Sequence, residues 1–136
     1  MIPGVAGGSN NLYQLALIRQ IRDKYKLVSL LMRGSDGVPI TSPLLCHPGS
    51  WEDCQAGIDY ILDKYVRDPK TGEKRCQVYA YGCSMGASVL GLYLVHASEE
   101  AGRQLDGAVL YGTPWNYFHG MKYFFESYWG IPAWFV

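Results

Sequence analysis

Apolar positions in this chain switch between a helical period and short continuous runs. Leu12, Leu15, Ile18, Ile21 and Tyr25 recur near one helical face, and Ser9 or Asn10 can cap that helix. Leu27-Val28-Ser29-Leu30-Leu31-Met32 is a short apolar run ended by Arg33-Gly34, which predicts a buried strand. Residues 35–49 form a loop with three prolines. Ser50-Trp51-Glu52-Asp53 then resembles a capping box with Asp in place of Glu, and Cys54, Ile58, Ile61, Leu62 and Tyr65 follow at helical spacing. Asp68-Pro69-Lys70-Thr71-Gly72 is a turn. Cys76–Tyr81 predicts a strand, Met85–Ala97 a helix and Leu105–Tyr111 another strand. This alternation of helix and strand predicts an α/β class with a parallel sheet and helices on its faces.

Composition narrows the chemistry. At 136 residues the chain has room for one domain. Its formal net charge is zero and it has no Lys/Arg run, which excludes nucleic acid as a partner class. The four cysteines, Cys46, Cys54, Cys76 and Cys83, form no C-x-x-C pair and the three histidines are scattered, so no metal site is expected. The cysteines read as reduced thiols of an intracellular protein, cytoplasmic or membrane-associated. There is no signal-peptide pattern and no run of 18 apolar residues.

The chemistry concentrates at Gly82-Cys83-Ser84-Met85-Gly86, a G-x-S-x-G run between a predicted strand and a predicted helix. A serine hydroxyl is a weak nucleophile and needs exposure, a base and a place for the developing oxyanion. A sharp strand-to-helix turn lifts Ser84 above the carboxyl ends of the sheet. Gly82 and Gly86 let strand and helix pass closely, and Ala87 and Gly91 extend that small-residue face. The oxyanion would be held by the Met85 N–H, just after the nucleophile, and by the Val5 N–H in Pro3-Gly4-Val5. A phosphate-binding loop is the competing reading of the N-terminal glycines. The run is not G-x-G-x-x-G, however, and no Gly-Lys-Ser/Thr follows.

These segments together resemble the YheT-like α/β-hydrolases, which include plant embryogenesis-associated and animal phospholipase-like members. The resemblance rests on Pro3-Gly4-Val5-Ala6-Gly7-Gly8-Ser9, Arg33-Gly34, His47-Pro48-Gly49-Ser50-Trp51-Glu52-Asp53, Tyr81-Gly82-Cys83-Ser84-Met85-Gly86 and Thr113-Pro114-Trp115-Asn116. It implies an α/β-hydrolase fold and a serine hydrolase of carboxylic esters, often lipid-like. Ser84 would be the nucleophile, Val5 and Met85 the oxyanion donors, and a small-molecule ester or lipid the substrate, with no cofactor.

The resemblance also places the family's acid and histidine beyond the strand that ends near Tyr111. Before the Pro3-Gly4 loop only Met1 and Ile2 stand where a strand should run. The expectation is therefore a partial α/β-hydrolase domain over 1–136, cut at both ends. His96 lies about 18 Å along the helix from Ser84 at 1.5 Å per residue. His47 precedes the elbow, out of order for the fold, and reads as a loop histidine with a structural hydrogen bond. His119 is the one base to test, with Glu126 a weaker orienting acid.

Nine of the twenty residues from Tyr117 to Val136 are aromatic. Residues 117–136 read either as a core element whose partners lie elsewhere or as a cap or face that meets a lipid surface. Either way an exposed apolar patch is expected. Two functions follow: an esterase or acyltransferase acting through acyl-Ser84, or a non-catalytic fragment serving as an interaction module. Oligomeric state is not legible.

Overall fold

The computed structural model describes residues 1–127. It is a mixed α/β arrangement: α1 (Leu12–Ile21), α2 (Trp51–Ile61), β1 (Tyr79–Cys83), α3 (Met85–His96), α4 (Ser98–Gln104), β2 (Gly107–Tyr111) and α5 (Tyr117–Ser127). α2 runs on into one π turn, Leu62–Val66. β1 and β2 pair in parallel, with Tyr79 opposite Gly107 and Cys83 opposite Tyr111.

Two further segments extend this pair. Ile2 bridges Gly82 in parallel, through Ile2 N–H to the Tyr81 carbonyl and Cys83 N–H to the Ile2 carbonyl, at 2.8 and 3.1 Å. Met1 is bonded on its other side to Val28 and Leu30, at 2.7 and 2.8 Å. The expected buried strand at 27–32 is thus not a ladder strand, and of its residues Val28 is exposed and Met32 alone is buried. Besides a local turn from the Ser35 N–H to the Met32 carbonyl, the segment's backbone bonds go to Met1, and two bonds to one residue do not make a ladder.

α3 lies on the sheet, and α2 and α4 pack against α3. The core is Ile2 and Met32, Cys54, Ile58 and Leu62 from α2 and its π turn, Val89, Leu90 and Tyr93 from α3, and Ala101 and Leu105. Tyr79, Val109 and Tyr111 leave the sheet exposed elsewhere, so the expectation of helical cover on both faces is corrected for the described residues. A polar network closes the helical layer. The Tyr93 hydroxyl donates to Gln104 Oε1 at 2.5 Å, and Gln104 Nε2 donates to Asp59 and Glu100 at 2.7 and 3.0 Å.

Several local expectations change. The N-cap of α1 is Asn11, not Ser9 or Asn10, and no side chain caps it. Ser9 is drawn away to Asp36. α1 does not bury the predicted face: Leu12 is 85 % exposed, and the buried residue is Gln14. Ser50 is the N-cap of α2, but the capping box is not made. Ser50 Oγ accepts the His47 N–H, and Asp53 pairs with Arg33. β1 begins at Tyr79 rather than Cys76, because Asp106 binds the Val78 N–H and β2 pairs only from Gly107 onward. α4 is an element the periodicity did not indicate. The turn at 68–72 is built as expected, with Asp68 Oδ1 accepting the Lys70 and Thr71 N–H groups.

All four cysteines are free thiols. No helix among the described residues is long and apolar enough to cross a membrane. Residues 128–136 of the aromatic segment lie outside the described residues; within α5, Phe118 and Tyr123 are exposed.

Candidate active site

Ser84 stands between β1 and α3 with φ 52° and ψ −119°, a backbone conformation that a non-glycine residue rarely adopts. Three glycines make the turn sterically feasible. A Cβ on Gly82 would lie 2.6 Å from the Gly86 carbonyl oxygen and 2.7 Å from Ala87 Cα. A Cβ on Gly86 would collide with the carbonyl oxygens of Pro3 and Ile2. A Cβ on Gly4 would come within 3.1 Å of Ser84 Cβ and 3.7 Å of its Oγ. The strand, the helix and the N-terminal loop therefore meet at backbone contact around Ser84. Gly91 is different: a Cβ there would sit 3.5 Å from Leu110, in ordinary contact, so the close approach ends before it.

The N-terminal loop turns immediately beside Ser84. The Gly7 N–H closes a turn onto the Gly4 carbonyl at 2.9 Å, and Ala6 takes φ 52°, the positive φ of a type II third position. Val5 is the second residue of this turn, and its N–H has no acceptor among the described residues. Met85 is the first residue of α3, where a helix leaves its N–H groups without intrahelical acceptors. Val5 thus directly follows the glycine that packs on Ser84, and Met85 directly follows Ser84.

The histidines are not tied to Ser84 in this way. His119 lies on α5, its ring beside Phe118, and its backbone N–H donates to Asn116 Oδ1. His47 Nδ1 accepts the Gly49 N–H at 3.0 Å, the structural role expected of it. His96, at the last turn of α3, stacks on Trp51 with ring centroids 4.8 Å apart. No imidazole or carboxylate among the described residues hydrogen-bonds Ser84 Oγ. Glu126 is at the far end of α5 and pairs with Lys122. No cluster of metal-ligating side chains occurs among the described residues.

Two cavities flank the helical layer. One, of about 430 Å³, runs along α3 beginning one turn past Ser84, and is lined by Gly49, Ser88, Leu92, Val95, Thr113 and Trp115. The hydroxyls of Ser88 and Thr113 are buried without a partner among the described residues. The other, of about 520 Å³, lies between residues 30–33 and 38–42, away from Ser84.

Two side chains that periodicity did not single out touch the loop. The Tyr13 hydroxyl accepts the Gly4 N–H at 3.1 Å. Asp36 Oδ2 accepts the Ser9 N–H and hydroxyl at 2.9 and 2.6 Å. Those donors hold the Asp36 carboxyl below the usual carboxylate range. Neither residue announces itself locally, because both contacts join segments distant in sequence. In comparison with known proteins, the chain matches no family model, no curated protein and no solved structure.

Proposed function

We propose that Ser84 is the nucleophile of an α/β-hydrolase-type site that transfers acyl groups from carboxylic esters. The observation that carries this reading is the backbone of Ser84. A positive φ at a serine between a parallel strand and a helix is strained, and such strain concentrates at functional positions. The lateral order of extended segments, 28–30, 1–2, β1 and β2, supports the fold assignment.

In this mechanism Ser84 Oγ attacks the ester carbonyl carbon. The carbonyl oxygen gains charge and is held by the N–H groups of Val5 and Met85, with the N-terminus of α3 adding favourable potential. Collapse of the tetrahedral species breaks the ester C–O bond, the proton given up by Ser84 Oγ passes to the departing alkoxide, and the alcohol leaves acyl-Ser84 behind. Water, or a second alcohol, then takes the acyl group. The largely apolar cavity along α3 lies within the roughly 300–1,000 Å³ range of ligand pockets and suits the chain of a lipid-like ester. The aromatic face of α5 suits a lipid surface.

One observation favours a second reading, a non-catalytic interaction module: among the described residues no base is hydrogen-bonded to Ser84 Oγ. A fluorophosphonate probe separates the two. Labelling of the chain that vanishes in Ser84→Ala supports the nucleophile. No labelling above the Ser84→Ala background favours the module.

A further inference from the structure

The N-terminal loop is held from two directions by side chains that lie outside the elbow. On one side, Tyr13 at the start of α1 accepts the Gly4 N–H, and Asn11 Nδ2 approaches the same oxygen at 3.4 Å. Gly4 is the residue packed against Ser84, and Val5 follows it. On the other side, Asp36 takes both donors of Ser9, at the far end of the loop. The carboxylate lies directly on the loop backbone, since a Cβ on Gly8 would stand 2.6 Å from Asp36 Oδ1.

Asp36 is itself specially placed. It has φ 53°, between Gly34 and Gly37 at φ 77° and 78°, so this loop runs through left-handed backbone that Asp tolerates better than most residues. The base of the same loop is pinned by Arg33, whose guanidinium pairs with Asp53 of α2 and donates to Ser42. Arg33 is thus tied to α2, and three residues further along the same loop Asp36 is tied to Ser9.

We infer that Tyr13 and Asp36 are positioning residues of the oxyanion loop, holding residues 4–9 so that Val5, which follows the glycine packed on Ser84, presents its N–H to the oxyanion. The inference rests on the acyl-transfer reading of Ser84. Without these two contacts the turn carrying Val5 is closed only by Gly7 N–H to the Gly4 carbonyl. An oxyanion donor acts only if it is already in place when charge develops.

Three variants test it in the full chain. Tyr13→Phe removes only the hydroxyl. Asp36→Gly removes the carboxylate while keeping the positive φ. Asp36→Asn keeps an oxygen acceptor for Ser9. Two quantities are read: amide hydrogen exchange at Gly7, whose own acceptor no variant touches, and the rate at which an alkyl fluorophosphonate labels Ser84. The expected result in Tyr13→Phe and Asp36→Gly is at least tenfold faster exchange at Gly7, with Val89 and Leu90 unchanged. Labelling should slow by about tenfold to a hundredfold, less than the loss on deleting a donor outright. Asp36→Asn should label within about threefold of the parent chain, because a neutral acceptor is weaker but still present. Unchanged Gly7 exchange, or parental labelling rates in Tyr13→Phe and Asp36→Gly, would overturn the positioning role alone. A parent chain that does not label at Ser84 would overturn the nucleophile reading and this inference with it.

Discussion

The Ser84 N–H donates to the Tyr111 carbonyl at 2.9 Å, so the elbow is tied to the last residue of β2. In the acyl-transfer reading proposed above, this bond takes the amide of Ser84 out of the oxyanion site and leaves that of Met85 for it. It also helps hold a backbone conformation that costs about 1–3 kcal/mol at a non-glycine residue. Ser84→Gly should relieve that strain. Part of the gain is offset by the extra freedom glycine has in the unfolded chain. The expected outcome is a net stabilisation of about 1 kcal/mol in urea unfolding, together with loss of phosphonate labelling. A destabilised Ser84→Gly chain would contradict the strain argument.

Two glycine-to-alanine changes should move stability in opposite directions. Gly86 and Gly102 both lie in helices, where alanine is ordinarily better by about 1 kcal/mol. A Cβ on Gly102 meets nothing within 4 Å, so Gly102→Ala should stabilise by up to that amount. A Cβ on Gly86 meets the backbone oxygens of Ile2 and Pro3, which cannot rotate away. Gly86→Ala should therefore destabilise by about 2–3 kcal/mol, the scale of overpacking a tight core. Urea midpoints of the two variants, compared with the parent, decide the matter.

Thiol reactivity should rank by burial. Cys54 is 0 % exposed within α2, and burial pushes its thiol up to about 12. Cys76 is exposed just before β1. Only the thiolate reacts. An aromatic disulfide reagent at pH 8 should modify Cys76 within the first phase and Cys54 only on unfolding. Mass spectrometry of the partly labelled chain identifies the order, and early modification of Cys54 would show that α2 opens.

Acid should weaken the join between β1 and β2. The Asp106 carboxyl lies below its ordinary value, first because Lys74 hydrogen-bonds it at 2.7 Å and then because the Val78 N–H does. A carboxyl with a depressed folded value stabilises the fold above its unfolded value, about 3.9. That contribution fades as pH falls through the lower folded value. Urea midpoints should therefore drop on acidification below about pH 4, and Asp106→Asn should flatten that dependence. An equally steep acid limb in Asp106→Asn would assign it to other carboxylates, such as Asp36 and Asp68.

Much of the chain was legible because the deciding forces are local. Met85–His96 follows the expected helix almost to the residue, since it needs only apolar helix formers after a glycine-flanked turn. The elbow was legible for the same reason: Gly82 and Gly86 are spaced so that strand and helix can touch, whatever else surrounds them. Ser50 as a helix N-cap was also correctly indicated, although its side chain bonds His47 instead of the helix. The turn at 68–72 depends on one aspartate reaching its own neighbours.

What sequence periods could not settle was decided by partners far along the chain. Whether 27–32 becomes a ladder strand depends on what pairs with it, and its long-range backbone bonds among the described residues are two, both to Met1. Which face of α1 is buried depends on what approaches, and the answer is Gln14 at 1 % exposure rather than Leu12. The start of β1 depends on where β2 begins. The same holds at Ser84. Its motif is a property of five consecutive residues. The loop that faces it, and the Tyr13 and Asp36 contacts that hold that loop, join positions 9 and 27 residues apart. Local sterics can write an elbow into a short stretch of sequence, but the surroundings of a nucleophile are set by long-range packing and hydrogen bonding.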